Sequence, residues 1–324
     1  MEIVNKLRPI SIEKAISSYN DLRYYDCESD PGHSRIGLKA LDYFFLGHRI
    51  KAKTRHHISF YDAVRDPTIN AKLGNLVRRW KRGRTIKNPL AAKYDVFQLY
   101  YGTINQFRPV VAKYMYCKLH ARVGILDFSA GWGGRALAAM SLKIPYYGFD
   151  ANTNLKHAYS SMLQTLEPDA EIHMTFMPSE KADFSKLKYD LVFTSPPYFT
   201  IEQYEQMPDY KTKEGFLQTF FIPVALNAWR FLRPGGNMAL NMPEEMFDAL
   251  KSHIPQRAKR IPMVLKNRHP AAAKQHDTNT EAKEYIYVWH KPSIIQKTRR
   301  SSGKISGRLT LKNIAIKNRR YENS

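Results

Sequence analysis

Cysteine is nearly absent from this chain: Cys27 and Cys117 are the only two among 324 residues. Two cysteines supply neither a disulfide framework nor a four-cysteine zinc site, and the usage is that of an intracellular, cytoplasmic protein with reduced thiols. No run of about 18 apolar residues is present, so no membrane-spanning helix is expected. The opening Met-Glu-Ile-Val-Asn-Lys lacks a basic stretch followed by an apolar one, so no secretory signal is expected. His56 and His57 are adjacent and lack a suitably spaced carboxylate, so no metal site is expected either. Acidic residues are also in deficit, with 29 Asp+Glu against 51 Lys+Arg.

What is present starts with the charge that this deficit leaves, +22 with a pI near 9.8. It is not uniform. Residues 1–100 carry +9, residues 101–243 carry +2 and residues 244–324 carry +11. A nearly neutral centre between basic flanks fits a ligand-binding core whose flanks meet a polyanion. Hydrophobic residues at 43% and aromatics at 12% are ample for a packed core.

Residues 1–100 read as a basic, mostly helical region with a possible part in target recognition. Its strongest charge run, Leu73 to Lys87, surrounds Trp80. That run suits either a solvated helix face or a helix that contacts phosphates and stacks an aromatic. Beyond Pro109 the pattern alternates. Pro109–His120, 134–142, Asn152–Leu166 and Phe216–Leu232 have helical character. Gly124–Ser129, Tyr146–Asp150, Glu171–Phe176, Tyr189–Thr194 and Asn237–Met242 read as strands, with a last pair at 260–266 and Tyr285–His290. Alternating strands and helices predict an α/β chain with a doubly wound, Rossmann-like parallel sheet over residues 101–291. Residues 292–324 read as a basic, disordered tail.

Two motifs carry chemistry. The first is Asp127-Phe128-Ser129-Ala130-Gly131-Trp132-Gly133-Gly134-Arg135, between a strand and a helix. Small residues there allow close backbone approach to a ligand, and the helix start offers free N–H groups. The G-x-G-x-x-G pattern of dinucleotide sites is not completed. Asp127 would repel a pyrophosphate but suits a cationic ligand with an amino group, such as S-adenosyl-L-methionine. Asp150 ends the next strand, where a carboxylate can accept both hydroxyls of a ribose. Trp132 either walls the ligand pocket or packs beneath the loop.

The second motif is Thr194-Ser195-Pro196-Pro197-Tyr198-Phe199, after the apolar Leu191-Val192-Phe193. Two prolines fix a rigid extended turn whose carbonyls lack local donors. A hydroxyl and a carbonyl can hold a planar amine while the ring of Tyr198 stacks on it. Catalysis is then mostly proximity and electrostatics.

Together the two motifs resemble the class I S-adenosylmethionine-dependent amino-methyltransferases of DNA, and within them those of phages and large DNA viruses. The resemblance covers about residues 100–291. It implies that Asp127, Ser129, Gly131 and Gly133 form the cofactor loop, and that Asp150 is the ribose acid. Phe107, in Phe107-Arg108-Pro109, matches the segment closing over the methionine end. Glu180, or Asp183, would lie near the adenine amino group, and Ser195, Pro196, Pro197 and Tyr198 form the catalytic turn. Ser195 in place of Asp implies cytosine N4 over adenine N6. The implied partner is DNA, with an RNA base amine, or a nucleic-acid-binding protein with a vestigial core, as alternatives. Neither cysteine lies in the catalytic turn, which disfavours C5 methylation. Tyr204 and Tyr210 either line a base pocket or are ordinary half-buried aromatics.

Overall fold

A computed structural model of the protein describes residues 2–54, 56–80, 82–197, 210, 212–263 and 285–293. Seven strands form one sheet: β1 (Ile125–Asp127), β2 (Tyr146–Phe149), β3 (Ile172–Thr175), β4 (Leu191–Thr194), β5 (Asn237–Met242), β6 (Lys259–Pro262) and β7 (Tyr285–His290). Their order is β3-β2-β1-β4-β5-β7-β6. The first five strands are parallel, while β7 runs antiparallel between β5 and β6. This is the doubly wound, Rossmann-like class I sheet, with a departure from a wholly parallel arrangement at its last strand.

The central strands are buried on both faces, while β3 and β6 at the edges are partly exposed, and the alternation of the central strands sorts two cores. Ile125, Leu191, Phe193, Ala239, Ile286 and Val288 face one side. Leu126, Val192, Met238, Leu240, Tyr287 and Trp289 face the other. The first side is covered by α7 (Pro109–Lys118), α8 (Gly134–Leu142) and α9 (Lys156–Leu166). The second is covered by residues 213–231, where a π turn at Leu217–Phe221 joins α10 (Lys213–Phe216) to α11 (Ile222–Phe231), and by α12 (Glu244–Lys251).

Six helices precede the sheet: α1 (Glu2–Leu7), α2 (Ile12–Tyr24), α3 (Leu38–Arg49), α4 (Phe60–Arg65), α5 (Pro67–Trp80) and α6 (Pro89–Tyr101). Ser11, Ser59 and Asn88 cap α2, α4 and α6 by accepting from backbone N–H groups in the first turn. Tyr19, Leu22, Leu41 and Phe45 of α2 and α3 join the core on the α7–α9 side. Leu46 and Ile50 instead join a separate core with Phe60, Leu73, Val77, Tyr94 and Phe97. Thus α3 lies between two cores and is apolar on both sides.

The expectation of reduced thiols is corrected here. Cys27, after α2, and Cys117, in α7, form a disulfide with Cα atoms 6.1 Å apart. They are 90 positions apart in sequence. What brings them together is the packing of α2 and α7 on α8, with buried Lys113 of α7 donating to the carbonyls of Leu22 (2.7 Å) and Arg23 (2.8 Å) at the end of α2. No helix among the described residues is long and apolar enough to cross a membrane. Residues 294–324, read above as a tail, lie outside the described residues.

Candidate active site

The two motifs end neighbouring strands. β1 pairs with β4 in parallel, Ile125 opposite Leu191 and Leu126 opposite Val192. The glycine loop leaving β1 and the Ser195-Pro196-Pro197 turn leaving β4 therefore open at the same carboxyl edge, where open α/β sheets bind ligands.

Asp127 joins them. It is fully buried and forms an ion pair with buried Arg135 at 2.6 Å. Its oxygens also accept from the Tyr146 hydroxyl (2.6 Å), the Thr194 hydroxyl (2.7 Å) and the Ser129 amide (3.1 Å). One carboxylate thus ties β1, β2, β4 and the start of α8 beneath the crevice. Burial alone would pull the Arg135 guanidinium down, but Asp127 beside it, with the Tyr146 and Tyr116 hydroxyls, holds it above its ordinary value. The expectation that Asp127 meets a ligand's amino group is corrected: its charge is spent on Arg135 and no edge of it is exposed.

Gly131 and Gly133 both take positive φ, +59° and +76°, which shapes the loop. A Cβ at Gly133 would stand 2.7 Å from the ring of Phe45, so α3 closes the loop from behind. At Gly131 nothing but a backbone oxygen at 3.9 Å would meet it, so that side stays open. The Tyr159 hydroxyl donates to the Gly131 carbonyl at 2.9 Å. Trp132 is buried in the same core as Phe45 and Tyr159.

Asp150 lies across the loop. One of its oxygens accepts from the Gly131 amide at 2.7 Å and the other from the Asn152 amide at 2.8 Å. A carboxylate has about four acceptor directions, so two remain. Burial pushes its pKa up to about 6, against the two amide bonds and Arg135, with Asp127 adding to the rise. Ser129 and Phe107 are half-buried beside this loop. The Phe107 ring meets Phe193 edge-on at 5.5 Å and lies under Arg135 at 5.3 Å.

In the Ser195-Pro196-Pro197 turn, half-buried Ser195 contacts buried Asn241 of β5, its hydroxyl 3.2 Å from the side-chain oxygen. The Asn241 amide nitrogen donates to the Tyr285 carbonyl at 3.3 Å. With its nitrogen held by β7, Asn241 presents its oxygen to Ser195. Ser195 must donate to that oxygen, which leaves its lone pairs to face the crevice. Pro196 is buried and Pro197 half-buried. Tyr198 and Tyr204 lie outside the described residues.

Glu180 sits in a short 3-10 turn (Ser179–Lys181) held to β1, where the Ser179 hydroxyl donates to the Phe128 carbonyl. It pairs with the Tyr210 hydroxyl; burial and then Glu180 push that phenol up to about 12. Asp183 is exposed and accepts from the Ser185 amide within its own turn. Trp80 packs against the core of α4–α6 rather than standing free on the basic run. Arg135, Thr194, Tyr146 and Asn241 were missed from sequence. Arg135 had a signal: one charge in the otherwise apolar Ala136–Met140 helix.

Comparison with known proteins adds the following. A protein-family model described as DNA methylase (N6_N4_Mtase) matches residues 189–323, which includes the Ser195-Pro196-Pro197 turn but not the glycine loop. Among curated proteins none matches this sequence. Solved structures similar to this chain include TrmN from Thermus thermophilus, at 18% identity and a TM-score of 0.41 over 64% of this chain and 54% of that one. This chain thus spans about half the length of that relative. Another is a precorrin-6y C5,15-methyltransferase from Geobacter metallireducens GS-15, at 14% identity and TM-score 0.38 over 56% of this chain and 87% of that one. A third is an rRNA methylase from Streptococcus thermophilus, at 12% identity and TM-score 0.36 over 58% and 99%.

Proposed function

We propose that this chain transfers the methyl group of S-adenosyl-L-methionine to an exocyclic amine of a DNA base, cytosine N4 in preference to adenine N6. The observation that carries the reading is the opening of the glycine loop and the Ser195-Pro196-Pro197 turn on adjacent strands, tied through Asp127 to Thr194.

The residues present fit the cofactor. Asp150 keeps two acceptor directions for a ribose diol, Gly131 leaves room beside them, and Phe107 offers an apolar wall. Ser129, Gly131 and Gly133 would frame it, and Glu180 would face its adenine end. Bound there, S-adenosylmethionine supplies an electrophilic methyl on sulfonium sulfur. The chain's part is to hold the amine in line with it. Ser195, its proton committed to Asn241, accepts one amine N–H, and the Pro196 carbonyl accepts the other. The nitrogen lone pair is then directed at the methyl carbon. As the N–C bond formed the sulfonium S–CH3 bond would break, leaving the neutral thioether S-adenosylhomocysteine, and the cationic amine would shed a proton to water, so no strong base is needed. Tyr198 would stack on the base, which must leave its helix to reach the turn.

Nucleoside mass spectrometry after incubation with cofactor, unmethylated DNA and total RNA tests this. N4-methylcytosine in DNA, lost in Ser195→Ala, is expected. N6-methyladenine would shift the base, and product in RNA alone would shift the substrate. No methylated amine in either would overturn the proposal.

A further inference from the structure

Outside the crevice, basic hollows among the described residues include one lined by Asn75, Arg78, Arg79 and Arg82 and one that is tied to the crevice. The second is a cleft of about 580 Å³ between the α1–α2 junction and α3, where Arg8, Lys14, Arg35, Lys39 and Asp42 stand around a largely apolar lining of Leu7, Pro9, Ile10 and Leu38. Four cations from two separate stretches of chain, residues 7–14 and 35–42, converge on it, with one carboxylate. That carboxylate is already committed: buried Asp42 pairs with Arg8 and with Arg49, the latter at 2.8 Å. Lys14, Arg35 and Lys39 are exposed and form no ion pair with any described carboxylate. Like charges held together without counter-charge repel. Such a cluster is stabilised when an anion fills it.

The cleft is also fixed to the crevice. Asp42 accepts from Gln106 at 3.3 Å, the neighbour of Phe107, whose ring touches Phe193 just before Thr194 and Ser195. On the other wall, Arg108 donates to the carbonyls of Gly32 (2.6 Å) and Ser34 (3.2 Å), which holds the segment leading to Arg35. The inner side of α3 packs on the glycine loop while its outer side forms this wall.

Resting on the reading above, we infer that this cleft is the seat for the phosphodiester backbone of the nucleic-acid substrate beside the extruded base. Its lysines and arginines neutralise phosphates without reading sequence. Cations and apolar side chains line the same cleft, a mixture that suits the phosphates and sugars of a backbone.

The test is fluorescence anisotropy with the full chain and a labelled DNA duplex of about 30 base pairs, across a series of salt concentrations. Each phosphate contact adds about 0.9 to the slope of log K against log salt. The triple variant Lys14→Ala, Arg35→Ala, Lys39→Ala is expected to flatten the slope by about 2–3 and weaken binding at least about tenfold near 0.1 M salt. Its S-adenosylmethionine affinity by calorimetry should not change. A control triple, Arg122→Ala, Lys186→Ala, Lys188→Ala, removes equal charge at the opposite edge of the sheet and should leave the slope as it was. An unchanged slope in the first triple, or an equal loss in the control, overturns the inference. Duplex binding unchanged while adsorption to phosphatidylserine vesicles is lost would also overturn it, assigning the cleft to a lipid surface. Because the readout is binding, failure of the methyl-transfer reading appears separately, in the mass spectrum.

Discussion

At the scale of single residues, the polar groups of the crevice differ in what they have left to offer. Asp127 has nothing, since Arg135, Tyr146, Thr194 and Ser129 take its oxygens. Asp150 has two acceptor directions and a pKa near 6. A ribose diol donates to the carboxylate and not to the acid, so cofactor affinity should fall as pH drops through about 6, by up to tenfold per unit. Calorimetry from pH 5 to 8 checks this, and Asp150→Asn should bind weakly with no such dependence. The same group acts oppositely on stability. Its folded pKa lies above the unfolded value of about 3.9, so its contribution is complete below that value and is lost as pH rises through 6. Ser195 owes its polarity to Asn241. In Asn241→Ala the Ser195 hydroxyl is free to turn its proton toward the amine, and the Tyr285 carbonyl loses a donor. Turnover should fall about tenfold and stability by about 1–2 kcal/mol. Cofactor affinity should hold, and a parallel loss of cofactor binding would show that Asn241 shapes the loop instead.

At the scale of elements, the sheet was legible because its strands are short apolar runs bounded by turn signals. β1, β2, β4 and β5 end where Asp127, Asp150, Ser195 and Pro243 break the pattern, so the carboxyl edge could be placed from sequence. The glycine loop and the Ser195-Pro196-Pro197 turn were legible for the same reason, as both are local. What was not legible depends on contacts between distant segments. Nothing in the spacing of α3 says that Phe45 stands behind Gly133, or that Asn241 stands behind Ser195, because each pairing is set by tertiary packing. β7 was visible as a strand but not its direction, which is set by its antiparallel pairing with β5 and β6. The role of α3 leads to a prediction. Phe45 is fully buried, meets Tyr159 edge-on at 5.1 Å and backs the glycine loop. Phe45→Ala should cost about 3–5 kcal/mol in chemical denaturation, as buried aromatic truncations do. It should also weaken cofactor binding by loosening the loop. Stability lost with cofactor affinity intact would show that α3 is a packing element alone.

At the scale of the whole molecule, the question is how firmly the basic first hundred residues are joined to the sheet. A charge of +9 on that region and +2 on the core helps catalysis only if the two hold a fixed geometry. Beyond the contacts of Gln106, Arg108 and Phe45 described above, three ties run through α2 and the segment after it. Lys113 caps the last carbonyls of α2, and burial holds its ammonium below the ordinary range, although Asp26 opposes this. Tyr19 and Arg23 of α2 both reach Glu167 beyond α9. The Cys27–Cys117 disulfide lies beside the first tie and closes a segment with a separation of 90 residues. Cross-linking a loop of this length restricts the unfolded chain and contributes about 2–4 kcal/mol. Full reduction should therefore lower the Tm by several degrees, and Cys27→Ser should show the same lower Tm with no further response to reductant. The buried contacts of Tyr19, Leu22 and Phe45 stay in place without the sulfur bond. Duplex affinity should thus change little on reduction if those contacts alone fix the basic region, and should weaken with the Tm if the disulfide is what holds α2 beside α7. Measuring anisotropy and Tm on the same reduced sample separates these outcomes.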